Sequence, residues 1–210
     1  PDSTSRGPKA KRFSLRRRAL ASYTPDQNNN ALLISNEDQE ITKKSFSDFT
    51  GSGAAYERYL RYLDLAQALA RKLWPTFLSP LISKSLLKQS LSTSDEREAW
   101  NWFIERPLGE FLEAYFDNDA FRGLIFTDGK IGVFANAHAP SLLQNRTFLY
   151  HIVGNVTGEW LVPVGGMGAL VTELKKCAQS FGVEIYTSAE VISIDPSAQG
   201  SMVEFQHRGE

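Results

Sequence analysis

The spacing of apolar residues changes once along the chain, near residue 155, and this change limits the fold more than any single motif. Before it the spacing is helical. Tyr59, Tyr62, Leu63, Ala66, Leu69, Ala70 and Leu73 recur three or four apart, placing them on one stripe of a helix from about Gly53 to Trp74 that Pro75 ends. After the change, Trp160 to Val164, Val183 to Tyr186, Glu190 to Ile194 and Met202 to His207 are short strand-like runs, with helix-like Ala169 to Phe181 among them. The expectation is an α+β or α/β chain with a mostly helical region over 1–155 and an α/β region over 156–210.

Within the first region, Phe13, Leu15 and Arg17 alternate as in a half-buried strand, turn chemistry fills Tyr23 to Asn30, and Ala31 to Ile34 is apolar, which predicts a hairpin. Ser35 or Asn36 suits a helix N-cap ahead of Ile41, Phe46 and Phe49. Phe77, Leu78, Leu81, Ile82 and Leu86 mark a further helix, and Ser92 to Glu96 offers a cap for a shorter one reaching Phe103. Pro107 opens a helix whose apolar face is Leu108, Phe111, Leu112, Tyr115 and Phe116. The helical pattern resumes through Phe121, Leu124 and Ile125, breaks at Asp128-Gly129, gives way to a small-residue bend over Gly132 to Pro140, and returns as a buried helix over Ser141 to Gly154.

Composition excludes several functions. With 210 residues and 42% hydrophobic content the chain can fill a core, and 23 basic residues against 24 acidic ones leave no excess for coating nucleic acid. Seven basic residues between Arg6 and Arg18 read as a solvated edge strand. The lone Cys177 rules out an internal disulfide framework and a multi-cysteine zinc site, suits a cytoplasmic or mitochondrial-type reducing compartment better than secretion, and reads as a core thiol in an amphipathic helix. Three histidines without HExxH spacing argue against a zinc hydrolase, and no metal site is expected. No run approaches the roughly 20 apolar residues of a membrane span. Pro1 at the start and a strand-like run at the end read as a piece of a longer protein.

Two glycine clusters invite a nucleotide reading. In Gly51-Ser52-Gly53-Ala54-Ala55-Tyr56 a tyrosine occupies the third position of a GxGxxG fingerprint and no strand precedes it, so an ordinary helix start accounts for it. Gly165-Gly166-Met167-Gly168 follows a strand and opens a helix, but its spacing is GGxG and Pro163 interrupts the strand. His138, beside the small-residue bend, is the histidine best placed for a pocket, whereas Glu110 and Glu113 suit a solvated helix face. Tyr59, Tyr62, Phe111, Tyr115 and Phe116 line either an apolar ligand cavity or a helix interface. The glycosylation-like triplets starting at Asn145 and Asn155 are coincidental.

The combination Pro163-Val164-Gly165-Gly166-Met167-Gly168, then Gly182-Val183-Glu184-Ile185, then Val191-Ile192-Ser193-Ile194, resembles the phytoene desaturase-like flavoproteins. That amine-oxidase-like group includes carotenoid desaturases and isomerases and a mitochondrial branch with a pyridine nucleotide-disulfide oxidoreductase domain. Looser similarity covers nearly the whole chain, while the family's N-terminal GxGxxG element and its C-terminal flavin-contacting segment are absent. The resemblance implies that residues 1–155 are a substrate-binding region with a helical cap and hairpin, and that 156–210 return to an FAD-binding domain. It implies an FAD-dependent oxidoreductase that dehydrogenates or isomerises an apolar, isoprenoid-like substrate by hydride transfer to flavin, the isolated segment being inactive. It further implies that backbone groups of Val191 meet the adenine end of FAD, that Gly165, Gly166 and Gly168 form a domain-junction turn, and that peripheral membrane association is open to the protein. A non-catalytic binding or scaffold module that keeps the shape without flavin is the alternative.

Overall fold

A computed structural model describes residues 13–208; Arg6, Lys9, Lys11 and Arg12 of the basic cluster lie outside the described residues. The fold is mixed α+β and separates into two compact units. One is Arg17–Leu161, and the described residues of the other are 13–16 and 162–208.

In Arg17–Leu161, strand β2 (Leu20–Pro25) pairs antiparallel with β3 (Ala31–Ser35). The turn between them is held by Asp26, whose carboxylate accepts from the backbone N–H of Asn28 and Asn30. The predicted hairpin therefore exists, but its first strand is Leu20–Pro25. The Phe13 to Arg17 alternation belongs to a separate short strand, β1 (Leu15–Arg17). Helix α1 (Gln39–Thr50) packs on β3 and is capped by Asp38, not by Ser35 or Asn36. The Ser35 hydroxyl instead accepts from Glu37 and Asp38 one turn upstream, leaving the helix start to the next acceptor in the chain.

Helix α2 (Ala54–Leu73) is the centre of the unit. Tyr62, Leu65, Ala66 and Leu69 form its buried stripe, packed against α4 (Ser94–Trp100) and α7 (Leu143–Val153). Downstream of Pro75 the expected helix through Phe77 and Leu81 does not form. Pro80 restricts Ser79 to extended backbone, Leu78 and Leu81 are fully exposed, and α3 (Lys84–Gln89) starts only at the Ser83 cap. Thr93 and Glu96 close a full capping box on α4, the two side chains reciprocally satisfying free N–H groups.

After α4 the chain makes a π-helical turn, Asn101–Glu105, then enters α5 (Leu108–Tyr115) behind Pro107. Buried Asn145 fastens this irregular stretch: its amide donates to the carbonyls of Phe103 and Arg106, and its oxygen accepts from Leu108 N–H. Asn145 is 2% exposed, which closes the folded chain to glycosylation there. Phe103, Phe111, Phe116 and Phe148 surround Tyr62 in an aromatic core of edge-to-face and tilted pairs, which Phe121 joins through Phe116.

Helix α6 (Asp119–Lys130) runs straight through Asp128-Gly129, where a break was expected. Gly129 is buried, and a side chain there would stand 3.1 Å from Leu108 and 3.2 Å from Phe126, so this glycine serves close packing.

Strand β4 (Leu161–Pro163) starts at the last residue of the Arg17–Leu161 unit, and the other unit carries α8 (Met167–Ser180) and the antiparallel pair β5 (Ala189–Asp195) and β6 (Met202–His207). Val183 to Tyr186 forms no strand. Cys177 is exposed, not in a core. No residue from 162 to 208 is fully buried.

Candidate functional site

Within Arg17–Leu161, the hairpin, the N-terminal half of α2, the C-terminal half of α6 and the end of α7 enclose a cavity of about 940 Å³. A volume of this order suits a small organic ligand. The apolar part of its wall is Tyr56, Tyr59, Leu60, Tyr62 and Leu63 from α2, Leu124 and Ile125 from α6, and Ile152 from α7, and polar residues such as Ser22, Asn36, Gln39, Thr42, Gln67 and Thr127 share the lining. Of the five aromatic residues proposed from sequence as a cavity lining, Tyr59 and Tyr62 serve that purpose. Phe111, Tyr115 and Phe116 instead pack among themselves and onto Tyr62.

Asp128, His151 and Arg18 are the charged or titratable side chains of this lining that bear most on a ligand. Asp128, on α6, is the first: burial raises its carboxyl above the ordinary value, the nearby His151 ring opposes that rise, and no hydrogen bond contributes. A carboxyl of this kind retains a proton to higher pH than an exposed one and can act as an acid inside the cavity. His151 is the second. Its Nδ1 donates to the Thr147 carbonyl at 2.8 Å, which leaves Nε2 as the nitrogen free to meet a ligand. The imidazole stacks on Trp160, centroids 5.6 Å apart and planes 17° apart, and the Arg18 guanidinium lies 5.8 Å from the same indole. Arg18, the third, has a buried Nε with no hydrogen-bond partner among the described residues. Arg17 differs: both of its ends engage Glu159.

The hydroxyls of Tyr59 and Tyr62 stay protonated. Burial, with a smaller contribution from Tyr56, pushes Tyr59 up to about 12, and complete burial followed by Tyr59 and Asp128 drives Tyr62 well above the phenol value.

Sequence reasoning missed Arg18, Asp128, His151 and Trp160. Asp128 carried a readable signal, since it follows Leu124 by four residues and Ile125 by three and so shares their apolar face. His138, expected near a pocket, lies outside the cavity. Its Nε2 is 3.0 Å from Glu113 and its ring covers Gly109, where a Cβ would come within 2.7 Å. Glu113 is therefore more than a solvated residue.

In the other unit, Gly165 and Gly166 take positive φ values of 91° and 77°, and Gly168 lies in the first turn of α8. Val191 is 54% exposed on β5, where the register shifts by a residue against β6. Among the described residues β5 pairs with β6 alone, so its other edge presents free backbone N–H and C=O groups. No group of three or more metal-ligating side chains occurs among the described residues, and no helix there is long and apolar enough to cross a membrane.

No protein-family model and no solved structure matches the chain significantly. The chain is 35% identical to the uncharacterized protein Rv0897c of Mycobacterium tuberculosis, and equally to Mb0921c of Mycobacterium bovis, in alignments of 193 residues covering 87% of this chain and 35% of each relative. It thus spans about a third of the length of these relatives. It is also 24% identical over 120 residues to pyridine nucleotide-disulfide oxidoreductase domain-containing protein 2 of the rat, and 25% to that of the mouse, covering 56% of this chain and 20% of those proteins.

Proposed function

We propose that the chain is the substrate-binding segment of a flavin-dependent oxidoreductase, its cavity holding an apolar molecule for dehydrogenation or isomerisation. The cavity carries this reading: it is roomy, has an aromatic and aliphatic wall built by α2, α6 and α7, and holds a carboxyl that burial raises above its ordinary value. The similarity to mammalian proteins named for an oxidoreductase domain, and the desaturase-like run from Pro163 to Ile194, support the same class.

FAD, when bound, would supply the hydride acceptor. The residues of this chain fit one part of its binding. Val191 sits exposed at a bulge in a strand with an open edge, where its backbone could meet the adenine end, and Gly165 and Gly166 turn the chain sharply ahead of α8. The GxGxxG cradle for the pyrophosphate is not part of this sequence. In the cavity, Tyr59, Tyr62, Leu63 and Ile125 would orient the substrate and exclude water, and the Asp128 carboxyl would be the acid–base group beside it.

The test is purification of the full-length protein. It should carry flavin and lose flavin absorbance anaerobically when an apolar substrate reduces it. Colourless protein that takes up no FAD would overturn the reading in favour of a binding module.

A further inference from the structure

We propose that the cavity selects an amphipathic molecule with an oxyanionic head, a long-chain carboxylate or phosphate monoester, and that Arg18 is the residue that reads the head. The inference rests on the cavity being the substrate pocket described above, and it narrows the ligand from a purely apolar molecule.

The first argument is the pairing of the charges that face the cavity. Glu159 is occupied by Arg17, and the field of Glu37 also falls on Arg17. The charge acting on Asp128 is that of His151, not of Arg18. Arg18 is left with no carboxylate partner and with a buried Nε that donates to nothing among the described residues. A guanidinium holds its charge at any physiological pH, and a buried donor without an acceptor is costly, so the site gains when a ligand oxygen arrives.

Geometry supplies the second argument. Arg18 and His151 both lie against Trp160, the guanidinium 5.8 Å from the indole centroid and the imidazole stacked on the ring. Trp160 is half exposed, which puts this set at the cavity mouth, while Tyr59, Tyr62 and Leu63 line its interior. Because Nδ1 of His151 is committed to Thr147, Nε2 can add a second donor when the ring is protonated. A head bound by a planar fork beside an aromatic plate, with an apolar body directed among tyrosines, describes a fatty or terpenoid acid or its phosphate counterpart and not a hydrocarbon.

Calorimetric titration of the full-length protein with palmitate, hexadecyl phosphate and hexadecanol, each below its aggregation threshold, tests this. At least one anion should bind about tenfold or more tightly than the alcohol, matching a charge-assisted hydrogen bond, and the stronger of the two identifies the head. Arg18→Gln should erase the preference while leaving hexadecanol affinity unchanged, which also shows that the variant is folded. Added salt should weaken the anions and spare the alcohol. Equal affinities in the parent protein, no binding of any of the three, or a preference that survives Arg18→Gln would each overturn the proposal. Flavin content is measured on the same preparation: colourless protein that prefers the anions defeats the flavin reading alone, and flavoprotein without the preference defeats this inference alone.

Discussion

Asn145 offers the sharpest test of how this unit is held together. It is buried, and its side chain closes three hydrogen bonds at 3.1, 2.7 and 3.1 Å, to Phe103 O, Arg106 O and Leu108 N, around the π-helical turn that joins α4 to α5. Each bond is worth about 1 kcal/mol net, and truncation strands backbone groups in an apolar core where water enters poorly. Asn145→Ala should therefore cost about 3 kcal/mol, seen in urea unfolding followed by the fluorescence of buried Trp100. Asn145→Asp keeps the acceptor for Leu108 but turns carboxylate oxygens toward two carbonyls. At neutral pH it should be at least as damaging as alanine, and it should recover part of the loss as the pH falls and the acid regains a donor. A loss under about 1 kcal/mol for the alanine variant, or an aspartate variant insensitive to pH, would refute the idea that Asn145 fastens this turn.

Three further outcomes follow from the same contacts. Gly109→Ala places a Cβ 2.7 Å from the His138 ring and should lower stability by about 1–2 kcal/mol, with His138→Ala in the same chain restoring most of it in a double-mutant cycle. Burial alone would raise the Glu96 carboxyl, but the N–H groups of Ser92 and Thr93, then Lys72, outweigh it and bring it below 4.5, so the ionised form stabilises the fold. Glu96→Gln should thus be less stable than the parent at pH 7, and that gap should close as the pH drops through the depressed value. Asp128 has the opposite sign: its carboxyl lies above 3.8 in the fold, so ionisation is a burden, and Asp128→Asn should raise the thermal midpoint at pH 7 with the gain vanishing near and below 3.8.

Much of the helical architecture could be read from period and punctuation, because the relevant physics is local. The α2 stripe, Pro75, the Thr93–Glu96 box and Pro107 all act within a turn or two of where they stand. Failures arose where a residue's role was decided at a distance. Gly129 looked like a breaker and is a packing glycine, since Leu108 from another helix fills the space beside it. His138 looked like a pocket residue and is a ring laid over Gly109. The cavity escaped for the same reason: Arg18, Asp128, His151 and Trp160 belong to four separate segments, and only their convergence makes a site. Asp128 alone advertised itself, as a carboxylate on an apolar face.

The two units differ in how their order is sustained, and this bears on how the site must be assayed. Arg17–Leu161 has an aromatic core with residues such as Phe46, Phe103 and Phe148 fully withdrawn from solvent. Residues 162–208 have none: on α8, Met167, Val171 and Leu174 form an apolar stripe, each more than 60% exposed, and Ile192 and Ile194 of β5 are equally open. An isolated helix of that length and a lone two-stranded hairpin are both marginal in water, so their own hydrogen bonds do not account for their order. The chain aligns with 35% of each mycobacterial relative, and the proposal that it is a segment of such a protein would supply the cover those stripes lack. Val191 and the Gly165–Gly166 turn lie on the elements that require such cover. The cavity residues do not, since they rest on a core of their own. A full-length preparation is therefore the setting in which flavin retention and ligand preference can be separated, because loss of the first need not carry the second with it.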